Sequence, residues 1–109
     1  MRASYYVRCI KDPAEVNTPP KASFFVDPPE GTTDSRFMFY AIDSRDNETN
    51  PDDLEVRWDF EGDGTWDTLF NQEKIIYHPY SEPGTYNVIL EVMDSMGLTN
   101  TMSKTVIVN

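Results

Sequence analysis

The chain has 109 residues, enough for one domain of ordinary size. It carries 19 acidic and 9 basic residues, a net charge of −10 that repels phosphate backbones and anionic lipid, which excludes nucleic acid and membrane surfaces as partners. Cys9 is the only cysteine, so no internal disulfide can form, and no apolar run approaches the ~18 residues that a membrane insertion would need.

The first twenty residues differ in character from the rest. A short β-prone run at residues 4–10 is followed by a polar stretch that ends in Pro19-Pro20. Polar residues and proline pairs mark linkers between folded segments. We therefore predict a linker over residues 13–20 that separates residues 1–12 from one β domain over 21–109.

From residue 21 onward, turn signals recur at intervals of about ten residues, which is typical of an all-β sandwich. Val56, Trp58 and Phe60 alternate with charged residues, so we expect these three to face the core and Asp59 to face solvent. No apolar stretch has the period of a helix. The predicted strands are residues 22–26, 36–43, 54–60, 65–69, 74–77, 85–93 and 99–108.

The second predicted strand has apolar residues on both faces. Its inward row is Phe37, Phe39 and Ala41, and its outward row is Met38, Tyr40 and Ile42. Only one face of a sandwich strand can lie inside. The outward row is therefore a candidate contact surface for a neighbouring domain.

Consecutive antiparallel strands place their connecting loops alternately at two ends of the sandwich. The start of the domain, the polar loop 44–53 and the turn 94–97 should share one end, which we call the linker pole. The turns at residues 28–31, 61–65 and 81–84 should share the other end, which we call the corner pole.

Three motifs stand in a recognisable order along the chain. They are Trp58-Asp59-Phe60-Glu61-Gly62-Asp63-Gly64, then the corner from His78 to Tyr86, and then Asp94-Ser95-Met96-Gly97. Together they resemble the signature of polycystic kidney disease (PKD) domains over about residues 18–109, with Glu61 as an extra residue. The resemblance implies a seven-stranded immunoglobulin-like β-sandwich without enzymatic activity. It also implies a place in a secreted or surface-anchored bacterial multidomain protein, extracellular or at the cell surface.

Residues 4–12 resemble the closing strand of the Fibrobacter succinogenes major paralogous domain, which is akin to formylglycine-generating-enzyme folds. That resemblance implies that residues 1–12 are the remnant of an upstream domain and that Cys9 has its disulfide partner in that domain. The expected partners are neighbouring domains of the same polypeptide, with an extracellular protein or a glycan as the alternative. The isolated domain is expected to be a monomer.

The PKD resemblance also implies a calcium site at the linker pole. Some members of the family bind calcium where the incoming linker meets the loop after the second strand and the last turn. The preferred ligands here are Asn17, Asp43, Asp46, Asp52 and Asp94. Oxygen ligands drawn from both linker and loops would stiffen the joint between domains. The alternative is a solvated acidic rim.

A second metal candidate lies at the corner pole. Asp59, Glu61 and Asp63 are spaced two residues apart and are followed by Gly64, as at the start of a calcium-binding loop. The twelfth position of such a loop is Phe70 here, where an EF-hand has a bidentate glutamate. The alternative is a turn whose aspartates accept hydrogen bonds from nearby backbone amides.

The remaining candidates concern binding and catalysis. Exposed rings at Tyr40, Trp66 and Tyr77 would give a carbohydrate- or protein-binding surface. His78 is the only histidine, and we expect its ring to stabilise the corner in which it lies. Paired catalytic carboxylates need a cleft that raises one pKa, and acids in exposed turns lack one. We predict that the chain is not an enzyme.

Overall fold

A computed structural model describes residues 18–109. This part of the chain forms an all-β structure, as predicted. Its strands are β1 (Phe25–Asp27), β2 (Glu30–Gly31), β3 (Met38–Tyr40), β4 (Glu55–Asp59), β5 (Ile75–Tyr77), β6 (Gly84–Met93) and β7 (Thr99–Val108), with a 3-10 helix at Pro51–Asp53. Within the described residues, no helix is long and apolar enough to cross a membrane.

The strands form two sheets. The three-stranded sheet has the order β1–β3–β5, and the four-stranded sheet has the order β2–β7–β6–β4. All neighbours are antiparallel except β2 and β7, which are parallel. The longest ladder joins β6 to β7, from Gly84 opposite Val108 to Met93 opposite Thr99. This ladder spans the whole distance between the two poles.

An aromatic core lies between the sheets. Trp58 is 1% exposed. It packs edge-to-face against Phe24, with 5.1 Å between the ring centroids. Trp58 also stacks on Phe60 at 5.7 Å. The second predicted strand contributes three core residues that are 0% exposed: Phe37, Phe39 and Ala41. The predicted inward faces of these two strands are confirmed.

The predicted strand at residues 65–69 is wrong. This segment runs beside β4, but two of its contacts use side chains instead of a backbone ladder. Thr68 Oγ1 accepts a hydrogen bond from Trp58 N at 3.0 Å, and Asp67 Oδ2 accepts one from Phe60 N at 2.8 Å. Because short polar side chains bond backbone so readily, they compete with regular pairing.

A different segment supplies the seventh strand. Residues 30 and 31, which we predicted as part of a turn, form β2 beside the end of β7. The backbone amide of Asn109 donates to Gly31 O at 2.7 Å and extends this pairing. β1 is also shorter than predicted. Upstream of β1, two backbone amides bond to side chains and not to the backbone of a neighbouring strand: Ala22 N donates to Asn100 Oδ1, and Ser23 N donates to Ser44 Oγ.

The predicted grouping of loops at the linker pole is confirmed. Thr18 Oγ1 donates to Glu48 Oε1 at 2.9 Å, which joins the incoming chain to the polar loop. The hydroxyls of Thr49 and Ser95 lie 3.1 Å apart, which joins the same loop to the β6–β7 turn. Residues from three separate stretches of sequence therefore meet at this pole.

Candidate metal sites

Asp46 carries the clearest local signal at the linker pole. Its Oδ2 accepts hydrogen bonds from the backbone amides of Glu48 and Thr49, at 3.0 and 2.8 Å. Its Oδ1 is buried and has no hydrogen-bond partner among residues 18–109. A buried carboxylate oxygen without a partner is costly, because it has lost its water and gained no donor. Such an oxygen is suited to a cation.

Asp94 organises the β6–β7 turn at the same pole. It is 4% exposed, and its Oδ1 accepts from the amides of Met96 and Leu98, both at 2.9 Å. Gly97 completes this turn with φ of 89°, a conformation that favours glycine. Asp94 is next to Ser95, which bonds to Thr49 on the loop that holds Asp46.

The other predicted ligands at the linker pole are Asp43, Asp52 and Asn17. Asp43 and Asp52 are exposed, and Asp52 belongs to the 3-10 helix, where its amide donates to Asn50 Oδ1 at 2.9 Å. Asn17 lies outside the described residues. Two acids that we did not predict, Asp53 and Glu55, line a shallow pocket together with Asp94. Both are distant from Asp94 in the sequence and come close to it only because β4 pairs with β6.

Asp59 is buried at the corner pole, which corrects the prediction that it faces solvent. It is 2% exposed, its Oδ1 accepts from Gly62 N at 2.9 Å, and its Oδ2 accepts from Gly64 N at 3.0 Å. The turn after β4 folds back over the carboxylate, so backbone amides replace its water. Gly62 has φ of 70°, and an added Cβ would lie 2.4 Å from Asn87 O.

Three acidic side chains converge in this turn. One oxygen each of Asp59, Glu61 and Asp67 lies within 4.8 Å of the others, the only such group found among residues 18–109. Asp63, the third residue of the predicted set, instead accepts from Thr65 N through Oδ1 at 2.9 Å. Both oxygens of Asp59 already accept from amides, which favours the interpretation as a hydrogen-bonded turn.

Glu61 stands between this acidic group and the corner. Its Oε2 is 3.4 Å from His78 Nε2, and the His78 ring stacks on Phe60 at 4.0 Å. Burial, followed by its hydrogen bond to Asp67 and the negative charges of its neighbours, raises the pKa of Glu61 to about 7. Burial also lowers the pKa of His78. Both groups are therefore biased toward their neutral forms, which weakens any ion pair between them.

The predicted binding rings do not share one surface. Tyr40 and Tyr77 lie on β3 and β5, on the outer face of the three-stranded sheet. Trp66 lies beside Arg57 of β4, in the other sheet, with the guanidinium 4.2 Å from the indole centroid. Tyr77 is likewise covered by Arg36 at 4.2 Å, and Tyr40 stacks on Phe25 at 4.8 Å.

The fold and motifs are matched by a known family. The family described as PKD domain matches residues 17–108. The chain belongs to the PKD domain family. Modules of this family are typically non-catalytic. The match does not include residues 4–12, which lie outside the described residues. The comparisons do not support the resemblance of this segment to the Fibrobacter domain.

Solved structures give the same result. This PKD domain is similar to the PKD1 domain of Vibrio anguillarum Epp (TM-score 0.64, 29% identity, 86% of this chain and 98% of that one). It is also similar to the PKD1 domain of the Vibrio cholerae metalloprotease PrtV (0.64, 28%, 84% and 99%). The PKD domain of an M14-like peptidase from a Thermoplasmatales archaeon, at 20% identity, shares the fold (TM-score 0.62) and is covered to 98%.

One further similar structure is much longer. It was solved to explain the promiscuous specificity of carbohydrate-binding modules from the β-sandwich superfamily. It has a TM-score of 0.75 and 32% identity over 87% of this chain, but this chain spans only 36% of it. Among curated proteins, none matches.

The raised pKa of Glu61 predicts a pH dependence of stability. Because the folded state holds this proton more tightly than the unfolded chain, the contribution is present at low pH and is lost as pH rises through about 7. Glu61→Gln should therefore raise stability at pH 8 by about 1 kcal/mol or less, since solvent screens a side chain that is 36% exposed. Urea unfolding at pH 5.5 and pH 8 measures this.

Asp63→Asn is the matched control, because Asp63 is an exposed acid in the same turn. The charges that face Glu61 are Asp59, Asp63 and Asp67, with His78 across the corner. If Glu61→Gln changes stability equally at both pH values, the proton is not held at Glu61.

Proposed function

We propose that this PKD domain is a non-catalytic extracellular module that spaces and orients neighbouring domains, and that calcium bound at the linker pole stiffens its joint. The observation that carries the proposal is Asp46 Oδ1, on the loop that holds the incoming linker: it is a buried carboxylate oxygen to which no group in the described part of the chain donates. Spacing requires a defined direction of the chain where it enters the domain. Contacts at this pole supply one.

The linker is held by several hydrogen bonds. Thr18 donates to Glu48 Oε1 through its amide at 3.2 Å and through its hydroxyl at 2.9 Å. Asn47 Nδ2 donates to Thr18 Oγ1 at 3.4 Å. These bonds are exposed and each contributes little on its own. A cation that binds both the loop and the linker would add to them.

The chemistry of the pole suits calcium. Calcium prefers six to eight hard oxygen ligands, which carboxylates, amide carbonyls and water supply. Asp46 would contribute its free oxygen, and Asp94 would contribute from the adjoining turn. Asn17, immediately before Thr18, would be the ligand from the linker. Asp43 and Asp52, exposed on the rim, would add to the negative field that attracts the ion.

Three observations support a non-catalytic, extracellular role. The buried acids Asp59 and Asp94 accept hydrogen bonds from the backbone amides of the turns beside them, which is a structural use of a carboxylate. PKD modules are typically non-catalytic. The similar Vibrio domains include one from a metalloprotease, in which it is one named domain of a longer protein.

Glycan binding is the weaker alternative. A sugar needs an open aromatic face, and the rings at the three predicted positions are partly covered. Tyr77 and Trp66 each lie beneath an arginine, and Tyr40 stacks on Phe25. The similarity to the longer structure does not itself transfer its carbohydrate binding, because this chain matches only 36% of that protein.

Thermal unfolding in EDTA and in millimolar calcium tests the proposal. A native-state site filled at 100 times its Kd adds about 2.7 kcal/mol to stability. For a domain of this size, that corresponds to a rise in Tm of roughly ten degrees or more. Asp46→Asn should abolish most of the rise, because the amide removes the charge and keeps the shape.

Asp63→Asn is the matched control at the opposite pole and should keep the full calcium response. The absence of any calcium response in the unmodified chain would remove the cation from the proposal. If Asp63→Asn abolished the response and Asp46→Asn did not, the ion would belong to the corner pole.

A further inference from the structure

The three-stranded sheet is apolar on both faces. Its strands lie in nearly continuous apolar runs, residues 24–26, 37–42 and 75–77, which is typical of strands covered on both sides. Val26, Phe39 and Ile76 lie opposite one another on β1, β3 and β5 and point into the core. The residues before and after each of them on its strand therefore point outward. In the four-stranded sheet, β7 instead carries polar residues at alternate positions, among them Thr101, Ser103 and Thr105.

The outward residues form two rows across the sheet. The register aligns Phe25, Tyr40 and Ile75 in one row and Asp27, Met38 and Tyr77 in the next. Phe25, Ile75 and Tyr77 are 40–46% exposed, and Ile42 extends the patch at 44%. We call this surface the outer face. Aromatic residues, methionine and arginine enriched together are typical of the core of a protein–protein interface.

Charge on the outer face differs from the rest of the domain. After residue 20 the chain has seventeen acidic and six basic residues, yet this face is flanked by two acidic and three basic residues. Lys21, Asp43 and Arg45, the bridge partner of Lys21, lie at its linker-pole end, and Asp27 and Arg36 lie at its corner-pole end. Within residues 18–109, the side chains of Lys21, Asp27 and Asp43 form no hydrogen bond or ion pair.

We propose that the outer face binds a second copy of this chain, with the strands of the two copies antiparallel. A two-fold axis across the strands places β1 opposite β1 and β3 opposite β3. Lys21 of each copy then lies opposite Asp27 of the other, and Arg36 opposite Asp43, around an apolar centre. The face is therefore complementary to itself in charge as well as in polarity.

The net charge of −10 opposes association of two copies, and from the sequence we expect a monomer. Repulsion between copies is screened within about 8 Å at physiological ionic strength, and most of the acids lie away from this face. The apolar side chains Phe25, Ile42, Ile75 and Tyr77 are each only 40–46% exposed, whereas a standard stable interface buries ~800 Å² per partner. The dimer is therefore weak, and it forms as protein concentration rises. This inference goes beyond the spacer role and does not depend on calcium.

Sedimentation equilibrium of the whole chain, from micromolar to millimolar concentration, tests the proposal. The average mass should rise from that of the monomer towards that of the dimer. Lys21→Asp and Asp27→Lys should each weaken association by about tenfold or more, because the two-fold axis repeats each like-charge contact twice. An equal mixture of the two variants should associate again, since every contact across that mixed pair is between opposite charges.

Leu69→Ser is the control, because Leu69 is 86% exposed and lies away from the outer face. Its association should equal that of the unmodified chain, and circular dichroism should show that all variants are folded. A chain that stays monomeric at millimolar concentration overturns the proposal. Association that survives Lys21→Asp and Asp27→Lys unchanged, or a mixture that fails to recover, also overturns it. Either result leaves the calcium response at the linker pole unaffected.

Discussion

Trp58→Ala is expected to lower the free energy of unfolding by about 3–5 kcal/mol, as truncation of a large buried ring does. The ring is 1% exposed and contacts three other aromatic rings, those of Phe24, Phe39 and Phe60. Its loss would leave a cavity between the sheets at the centre of the core. Urea or guanidinium denaturation followed by circular dichroism measures the change.

Two matched variants make this prediction specific. Within the described residues, the buried Trp58 indole Nε1 has no hydrogen-bond partner. Trp58→Phe therefore removes an unpaired donor as well as volume, and it should cost much less than Trp58→Ala. Trp66→Ala removes a partly exposed indole that contacts Arg57, and a contact of this kind is worth about 0.5–1 kcal/mol. Equal costs for Trp58→Ala and Trp66→Ala would contradict the inward placement of Trp58.

Strand positions could be predicted from the sequence where side-chain alternation is regular. β7 begins and ends where the pattern predicted, and β6 begins one residue earlier. Alternation is a local property, because successive side chains point to opposite faces of a strand. β2 could not be predicted in this way. It consists of two residues, and only its pairing with the distant end of β7 makes it a strand.

The acidic sites show the same limit more strongly. Alternation along β4 predicted an outward Asp59, but the backbone amides of the following turn enclose its carboxylate. Asp67 joins Asp59 and Glu61 because the segment after the turn runs back along β4, a contact that no short spacing encodes. At the linker pole, the loops that would meet could be predicted from strand order. The buried free oxygen of Asp46 could not, because it depends on side-chain orientation.

The outer face was also only partly visible in the sequence. The alternating rows of the second predicted strand indicated an outward stripe at Met38, Tyr40 and Ile42. Phe25 and Ile75 could not be assigned to the same surface, because that required the register of β1 and β5 on either side of β3. Three separate apolar runs become one surface only when the sheet forms.

Asp59→Ala should lower the free energy of unfolding by about 2–3 kcal/mol, because charge-assisted hydrogen bonds to amides are lost. The carboxylate accepts from Gly62 N and Gly64 N at 2.9 and 3.0 Å, with longer contacts to the amides of Glu61 and Asp63. The turn that it closes holds Gly62 against Asn87 of β6, so its loss loosens the corner pole. Urea denaturation at pH 7 in EDTA measures the effect without any contribution from a metal.

Asp59→Asn distinguishes hydrogen bonding from charge. The amide keeps one acceptor oxygen in place of two, so it should retain part of the stability that Asp59→Ala loses. Asp63→Ala is the matched control, since Asp63 is exposed and its carboxylate accepts only from Thr65 N, at 2.9 Å. We expect a change within about 0.5 kcal/mol there, as for other surface positions. A cost for Asp59→Ala no larger than for Asp63→Ala would mean that the buried carboxylate does not hold the turn. If Asp59→Ala were costly only in calcium, the three converging acids would be a metal site after all.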